Sequence, residues 1–106
     1  MLNSRLSWVD NMKNIRFHLF VSGRVQGVLF RQYARAKALE LGLTGFAKNL
    51  IDGKVEIVIE GPKEKLKEFV IWVRKGPTLA RVESVEIAEE EHTGEFEDFV
   101  AREFGF

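Results

Sequence analysis

Residues 44–60 read "TGFAKNLIDGKVEIVIE". Val55, Ile57 and Ile59 recur at every second residue, the period of a strand with one buried face. The run "TGFAKN" (44–49) before them predicts a short partner strand. Between the two lies Asp52-Gly53, a strong hairpin signal, because both central residues of so tight a turn must tolerate positive φ. The middle of the chain is therefore a β-hairpin, and the fold depends on what flanks it.

On the N-terminal side, "IRFHLFV" (15–21) alternates again, with Ile15, Phe17, Leu19 and Val21 on one face and Arg16, His18 and Phe20 on the other. His18 reads as a sheet-surface residue. The spacing then changes: Phe30, Ala34, Ala38 and Leu41 predict a helix over 30–41 with Tyr33 on its flank and Gly42 ending it. On the C-terminal side, Gly61-Pro62 suits the first turn of a second helix, where a missing N–H costs nothing. Leu66, Phe69, Val70 and Val73 form its apolar face, and "KGP" (75–77) stops it. "ARVESVEIAEE" (80–90) predicts a strand with an irregularity between Val82 and Val85. "FEDFVAR" (96–102) predicts a short final strand after a turn near Thr93-Gly94. The order is β-α-β-β-α-β plus one strand. The expected class is α+β: a ferredoxin-like sandwich whose mainly antiparallel sheet carries both helices on one face.

Composition narrows the chemistry. The 106 residues suffice for one two-layer core. Cysteine is absent and histidine occurs at His18 and His92 alone, so thiolate chemistry, disulfides and a histidine-rich metal site are excluded. No apolar run is long enough to span a bilayer, and the opening "MLNSRLSWVDN" lacks the apolar stretch of a secretory signal. A cytoplasmic location is expected. Net charge is zero but unevenly spread. Arg5, Lys13, Arg16, Arg24, Arg31, Arg35, Lys37 and Lys48 oppose Asp10 and Glu40 in residues 1–50, whereas Arg102 stands among acidic residues over 83–106. The acidic run reads as a solvated hairpin; the basic half invites an anion.

Topology says where that anion would lie. The first helix starts at the far end of the first strand and returns the chain, so the second strand runs parallel to the first. The strand 54–60 fits between them. Loop 23–29, the start of the first helix and Asn49 then share one sheet edge, two strand spacings or roughly 10 Å across. Gly23 and Gly27 allow successive N–H groups to aim inward, and the helix adds unpaired N–H groups and partial positive charge. Arg31, Arg35 and Lys37 lie early in that helix with no acidic residue before Glu40, against the dipole's preference. A bound anion near Arg31 resolves the conflict. Each feature also has a plain reading: a strand-to-helix turn, a solvated arginine, an asparagine that shapes a turn. Spacing alone does not identify the anion.

Three blocks, "GRVQGVLFR" (23–31), "LGLTGFAKNLIDGKVEIVIEG" (41–61) and "GPTLARVESVE" (76–86), closely resemble acylphosphatases, and the similarity runs in order from Met12 to Arg102. The resemblance implies a ferredoxin-like fold and hydrolysis of acyl phosphates to a carboxylate and inorganic phosphate. It implies that Arg31 binds substrate, that Asn49 positions the attacking water, and that Gly23, Arg24, Val25, Gln26, Gly27, Val28 and Leu29 form the phosphate-binding loop. Phe46-Ala47 stands where the family commonly has Trp-Val. Residues 1–11 lie outside the resemblance and are expected to be an extension of a domain over 12–106. The chemistry suits these residue types: positioning and charge stabilisation can supply most of the catalysis for so good a leaving group. The loop has no carboxylates for Mg²⁺ and no Lys-Ser/Thr ending like that of a nucleotide P-loop. The expected reaction needs no metal or cofactor. A monomer is expected, with the acyl phosphate as substrate and inorganic phosphate as product and inhibitor. Neither nucleic acid nor a membrane is an expected partner; "KVEIVIE" lacks the aromatics an RNA-stacking sheet would need. A non-catalytic anion-binding module is the rival reading.

Overall fold

The computed structural model describes residues 11–102, so the extension expected over 1–11 lies, apart from Asn11, outside the described residues. Strand β1 (Asn14–Arg24) leads to helix α1 (Phe30–Glu40), then to the hairpin β2 (Thr44–Asn49) and β3 (Val55–Pro62). Helix α2 (Lys63–Lys75) follows, then β4 (Arg81–Glu91) and β5 (Phe99–Arg102). The sheet order is β4-β1-β3-β2-β5. β3 pairs antiparallel with both β1 and β2, which makes those two parallel to each other. β5 lies parallel to β2 at one edge, and β4 antiparallel to β1 at the other. The α+β ferredoxin-like arrangement expected from the sequence is the one found.

The alternation that defines the strands also builds the core. Ile15, Phe17, Leu19 and Val21 of β1 and Val55, Ile57 and Ile59 of β3 are buried, in one cluster with Phe30, Ala34 and Ala38 of α1 and Leu66, Phe69, Val70 and Val73 of α2. Both helices thus cover one face of the sheet. α1 stops where expected: Gly42 takes φ 72°, and the Leu43 N–H reaches back to Ala38 O at 2.8 Å. Pro62 differs from expectation. It sits at the cap before α2, not in its first turn, with an extended ψ of 137°. The reason is that β3 still pairs there, Pro62 facing Asn14 of the first strand.

The irregularity expected in β4 is a bulge at Glu83: Ser22 faces Ser84, but Gly23 faces Val82. Gly23 makes this possible. It has φ 122°, and a Cβ there would come within 2.1 Å of Arg81 O. No other residue fits so close an approach.

The open face is less open than the pattern of "KVEIVIE" implies. Glu60 is only 1% exposed, because the connection 92–98 passes over it. Its carboxylate accepts from Arg16 Nε at 2.8 Å, Thr93 N and Oγ1 both at 3.0 Å, and Gly94 N at 3.1 Å. Phe96 lies beside Phe46 and under the Arg16 guanidinium, with His18 held between Glu56 and Glu90 further along the same face. His18 is a sheet-surface residue, as expected.

Burial alone would raise the Glu60 pKa, but the hydrogen bonds from Thr93, Arg16 and Gly94 outweigh it and hold the group below its ordinary value. A carboxylate with a depressed folded pKa contributes stability above its unfolded pKa and loses it as pH falls through the folded value. Glu60→Gln is therefore expected to lower stability at pH 7 by about 2 kcal/mol. At the usual scaling for a small domain that is roughly 10 °C in Tm. The deficit should shrink as pH drops below the carboxylate range, where the wild type also loses its charge. Thermal melts of both proteins from pH 7 to pH 3 check this; a deficit independent of pH would show that the charge is not what Glu60 contributes.

Candidate active site

The loop after β1 is pinned by two buried valines three residues apart. Val25 and Val28 are buried, while Arg24, Gly27 and Leu29 face outward. Gly27 has φ 74° and Leu29 has φ 62°, whereas Val28 between them and Phe30 after them have ordinary negative φ. Alternation of hand turns successive N–H groups toward one side, the geometry of an anion-binding concavity. For leucine the left-handed conformation is uncommon and costs about 1 kcal/mol or more. The loop leads directly into α1, whose first intrahelical bond is Tyr33 N–H to Leu29 O. The N-terminus of α1 has no side-chain cap and no acidic residue in its first turn. Its first N–H groups are left for something else.

Arg31 and Arg35 project from this end of α1 onto β5. Arg31 donates through Nη1 to Arg102 O, and Arg35 donates through Nε to Phe99 O at 3.0 Å. Asp98 lies 3.9 Å from the other end of Arg35. The remaining nitrogens of the Arg31 fork have no partner among the described residues.

Asn49 is the last residue of β2. The register sets its place: Asn49 faces Val55, and Val55 faces Val21 on its other side. Asn49 and the stretch of β1 that feeds the loop thus stand in one row across three strands, about 10 Å apart. By strand periodicity its side chain shares the helix-covered face with Gly45 and Ala47. Asn49 Oδ1 is buried and has no hydrogen-bond partner, alone in this among the described side chains. An orphaned buried acceptor costs about 1–3 kcal/mol. Oδ1 is thus an open acceptor.

The chain matches the acylphosphatase family model over residues 17–101. It is 56% identical over 79 residues to an acylphosphatase of Thermus thermophilus, covering 74% of this chain and 90% of that relative. It is 51% identical over 84 residues to one of Methylococcus capsulatus, with 79% and 91% covered. The chain belongs to the acylphosphatase family. Among solved structures, the acylphosphatase of Bacillus subtilis superposes with a TM-score of 0.80 at 34% identity, covering 83% of this chain and 98% of that one. The resemblance carried by the three sequence blocks is thereby confirmed, and membership makes this protein an enzyme of that class.

Within the acylphosphatase fold, Asn49 and the end of β1 that feeds the loop lie in one row of the sheet, and Arg31 follows the loop at the start of α1. Gln26 turns its side chain away from the loop's outer rim: Nε2 donates to Leu50 O at 2.8 Å and to Lys54 O at 2.9 Å, on the hairpin. Ala47 is completely buried opposite Ile57, and Phe46 packs on the open face under the Arg102 guanidinium, 4.0 Å from its ring centre. The final strand was expected from the sequence; what sequence reasoning missed is the contact that β5 makes with Arg31 and Arg35. The strand holds both arginines by backbone carbonyls, which every residue type possesses, so no signal in the letters 99–102 could have shown it. Among the described residues there is no cluster of three or more His, Cys, Asp or Glu side chains suited to a metal, and no helix is long and apolar enough to cross a membrane.

Proposed function

We propose that this protein hydrolyses the carboxyl–phosphate bond of acyl phosphates by in-line attack of a water held by Asn49 on a phosphoryl group held by Arg31 and loop Gly23–Leu29. The observation that carries this reading is the buried, partnerless Asn49 Oδ1 in the same sheet row as the strand that feeds the loop. An amide oxygen accepts one hydrogen from water and aims its lone pair elsewhere. The loop N–H groups and the free part of the Arg31 fork receive phosphate oxygens, and the planar fork fixes their orientation.

The water oxygen bonds to phosphorus as the bond from phosphorus to the acyl oxygen breaks. That electron pair leaves on the carboxylate, which needs no acid to help it depart. The water's surplus proton passes to a phosphate oxygen, since no loop side chain is a base. Positioning and charge stabilisation supply the catalysis. Nothing in the scheme calls on a metal or cofactor. The phosphate end is what the site recognises, so inorganic phosphate, the product, binds the same cradle. A small acyl phosphate as substrate, and a cytoplasmic monomer that needs neither nucleic acid nor a membrane, belong to the same proposal.

Hydrolysis of acetyl phosphate in ¹⁸O-water with EDTA present tests the scheme. Turnover should be unaffected by the chelator and inhibited by inorganic phosphate, with the label entering phosphate and not acetate. Loss of activity in EDTA with recovery on adding Mg²⁺, or label in acetate, would show the mechanism to be wrong.

A further inference from the structure

The loop and Asn49 belong to different segments, and the sheet does not by itself fix the distance between them. The ladder between β1 and β3 ends at Val21–Val55. Beyond that row β1 pairs with β4 alone, through Ser22, Gly23 and Arg24, and the loop departs from the central strand. On the other side, Asn49 is followed at once by the hairpin neck, where Leu50 N–H donates to Lys54 O at 2.9 Å. The side-chain hydrogen bonds that cross this gap among the described residues both come from the Gln26 amide, which grips Leu50 O and Lys54 O.

We propose that Gln26 is a positioning residue for the reaction: it sets the Asn49-bound water in line with the phosphate held by the loop. This rests on the reading of Asn49 and the loop given above. Both donors of its amide nitrogen are spent on the hairpin, so the side chain is not itself a phosphate ligand. Its backbone position is fixed, between buried Val25 and left-handed Gly27. The neck it grips is braced on its own account, since Gly53 N–H donates to Leu50 O at 3.1 Å and Lys54 N–H to Asp52 Oδ1 at 3.0 Å. Gln26 therefore joins two stiff units and fixes their separation.

That bracing separates positioning from mere stabilisation. Leu50 O and Lys54 O each keep a donor within the turn when Gln26 is lost, so no carbonyl is orphaned and the fold should lose little. Geometry at the site is less forgiving, because a misplacement of about 1 Å can cost on the order of 100-fold in rate. Gln26→Met keeps the length and removes both donors. It should lower kcat for acetyl phosphate by about 10- to 100-fold, with inhibition by inorganic phosphate changed less than about threefold because Arg31 and the loop N–H groups remain.

The decisive measurement is a double-mutant cycle with Asn49→Ala, read as kcat alongside phosphate inhibition and the urea unfolding midpoint. If Gln26 acts through the water, Gln26→Met should lower kcat in the wild type and have no further effect once Asn49 is alanine. An equal fall in both backgrounds, a fall matched by lost phosphate binding, or normal kcat in Gln26→Met would each overturn the proposal. The reading beneath it fails separately: Asn49→Ala with normal turnover removes the water-positioning role whatever Gln26 does. Should methionine overfill the gap and disturb folding, Gln26→Thr removes the same donors with a smaller side chain and carries the same test.

Discussion

Replacing Asn49 with alanine is expected to reduce turnover of acetyl phosphate by roughly 10²- to 10³-fold while leaving the protein as stable as before, or slightly more so. The rate follows from lost orientation: water remains plentiful, but nothing aims its lone pair, and orientation accounts for several kcal/mol of such a barrier. The stability follows from the same atom. Asn49 Oδ1 is buried without a partner, so its removal deletes a desolvation cost instead of a bond. Phosphate inhibition should change little, because Arg31 and the loop are untouched. A turn-shaping role for Asn49 predicts another result, with stability and phosphate binding lost together. Turnover, phosphate inhibition and an unfolding curve measured on one preparation decide the matter. A folded variant with near-normal kcat would eliminate the water-positioning role.

Arg31→Lys is expected to lower kcat/KM by about 10²-fold or more even though the charge is kept. Arg31 uses one nitrogen on Arg102 O and has the rest of a rigid fork to offer phosphate. One ammonium cannot keep the carbonyl and grip two phosphate oxygens in a plane. Inhibition by inorganic phosphate should weaken in parallel, which distinguishes this variant from Asn49→Ala. If the lysine protein retained both normal turnover and normal phosphate inhibition, Arg31 would not be the residue that binds substrate.

The frame of the molecule was readable because it rests on periodicities. Two alternating runs at 15–21 and 54–60, the Asp52-Gly53 turn, and helical spacings at 30–41 and 66–73 suffice to place the strands and helices. A positive φ at Gly27 was readable too, whereas Gly23 spends its freedom on the bulge between β1 and β4. Features that depend on tertiary contact were not readable. Leu29 is left-handed although leucine rarely is, so only the folded loop reveals it. Glu60 falls on the solvent side of a strand pattern, yet the connection 92–98 buries it. Pro62 stops short of its helix because Asn14 extends the sheet past it. The direction of the Gln26 side chain depends on a hairpin neck 24 residues away.

β5 reaches the site in an unusual way: Phe99 and Arg102 touch the arginines of α1 with carbonyl oxygens. Arg31 and Arg35 thus respond to the path of the chain and not to its spelling. Phe99 is constrained for a separate reason, being fully buried, and the Arg102 side chain lies over Phe46, but what each offers the arginines is a carbonyl oxygen set by where the backbone runs. Other side chains at these positions would present the same oxygens so long as the strand stays docked against β2. A comparison that weighs positions by the constancy of their letters would pass over the very support on which Arg31 leans.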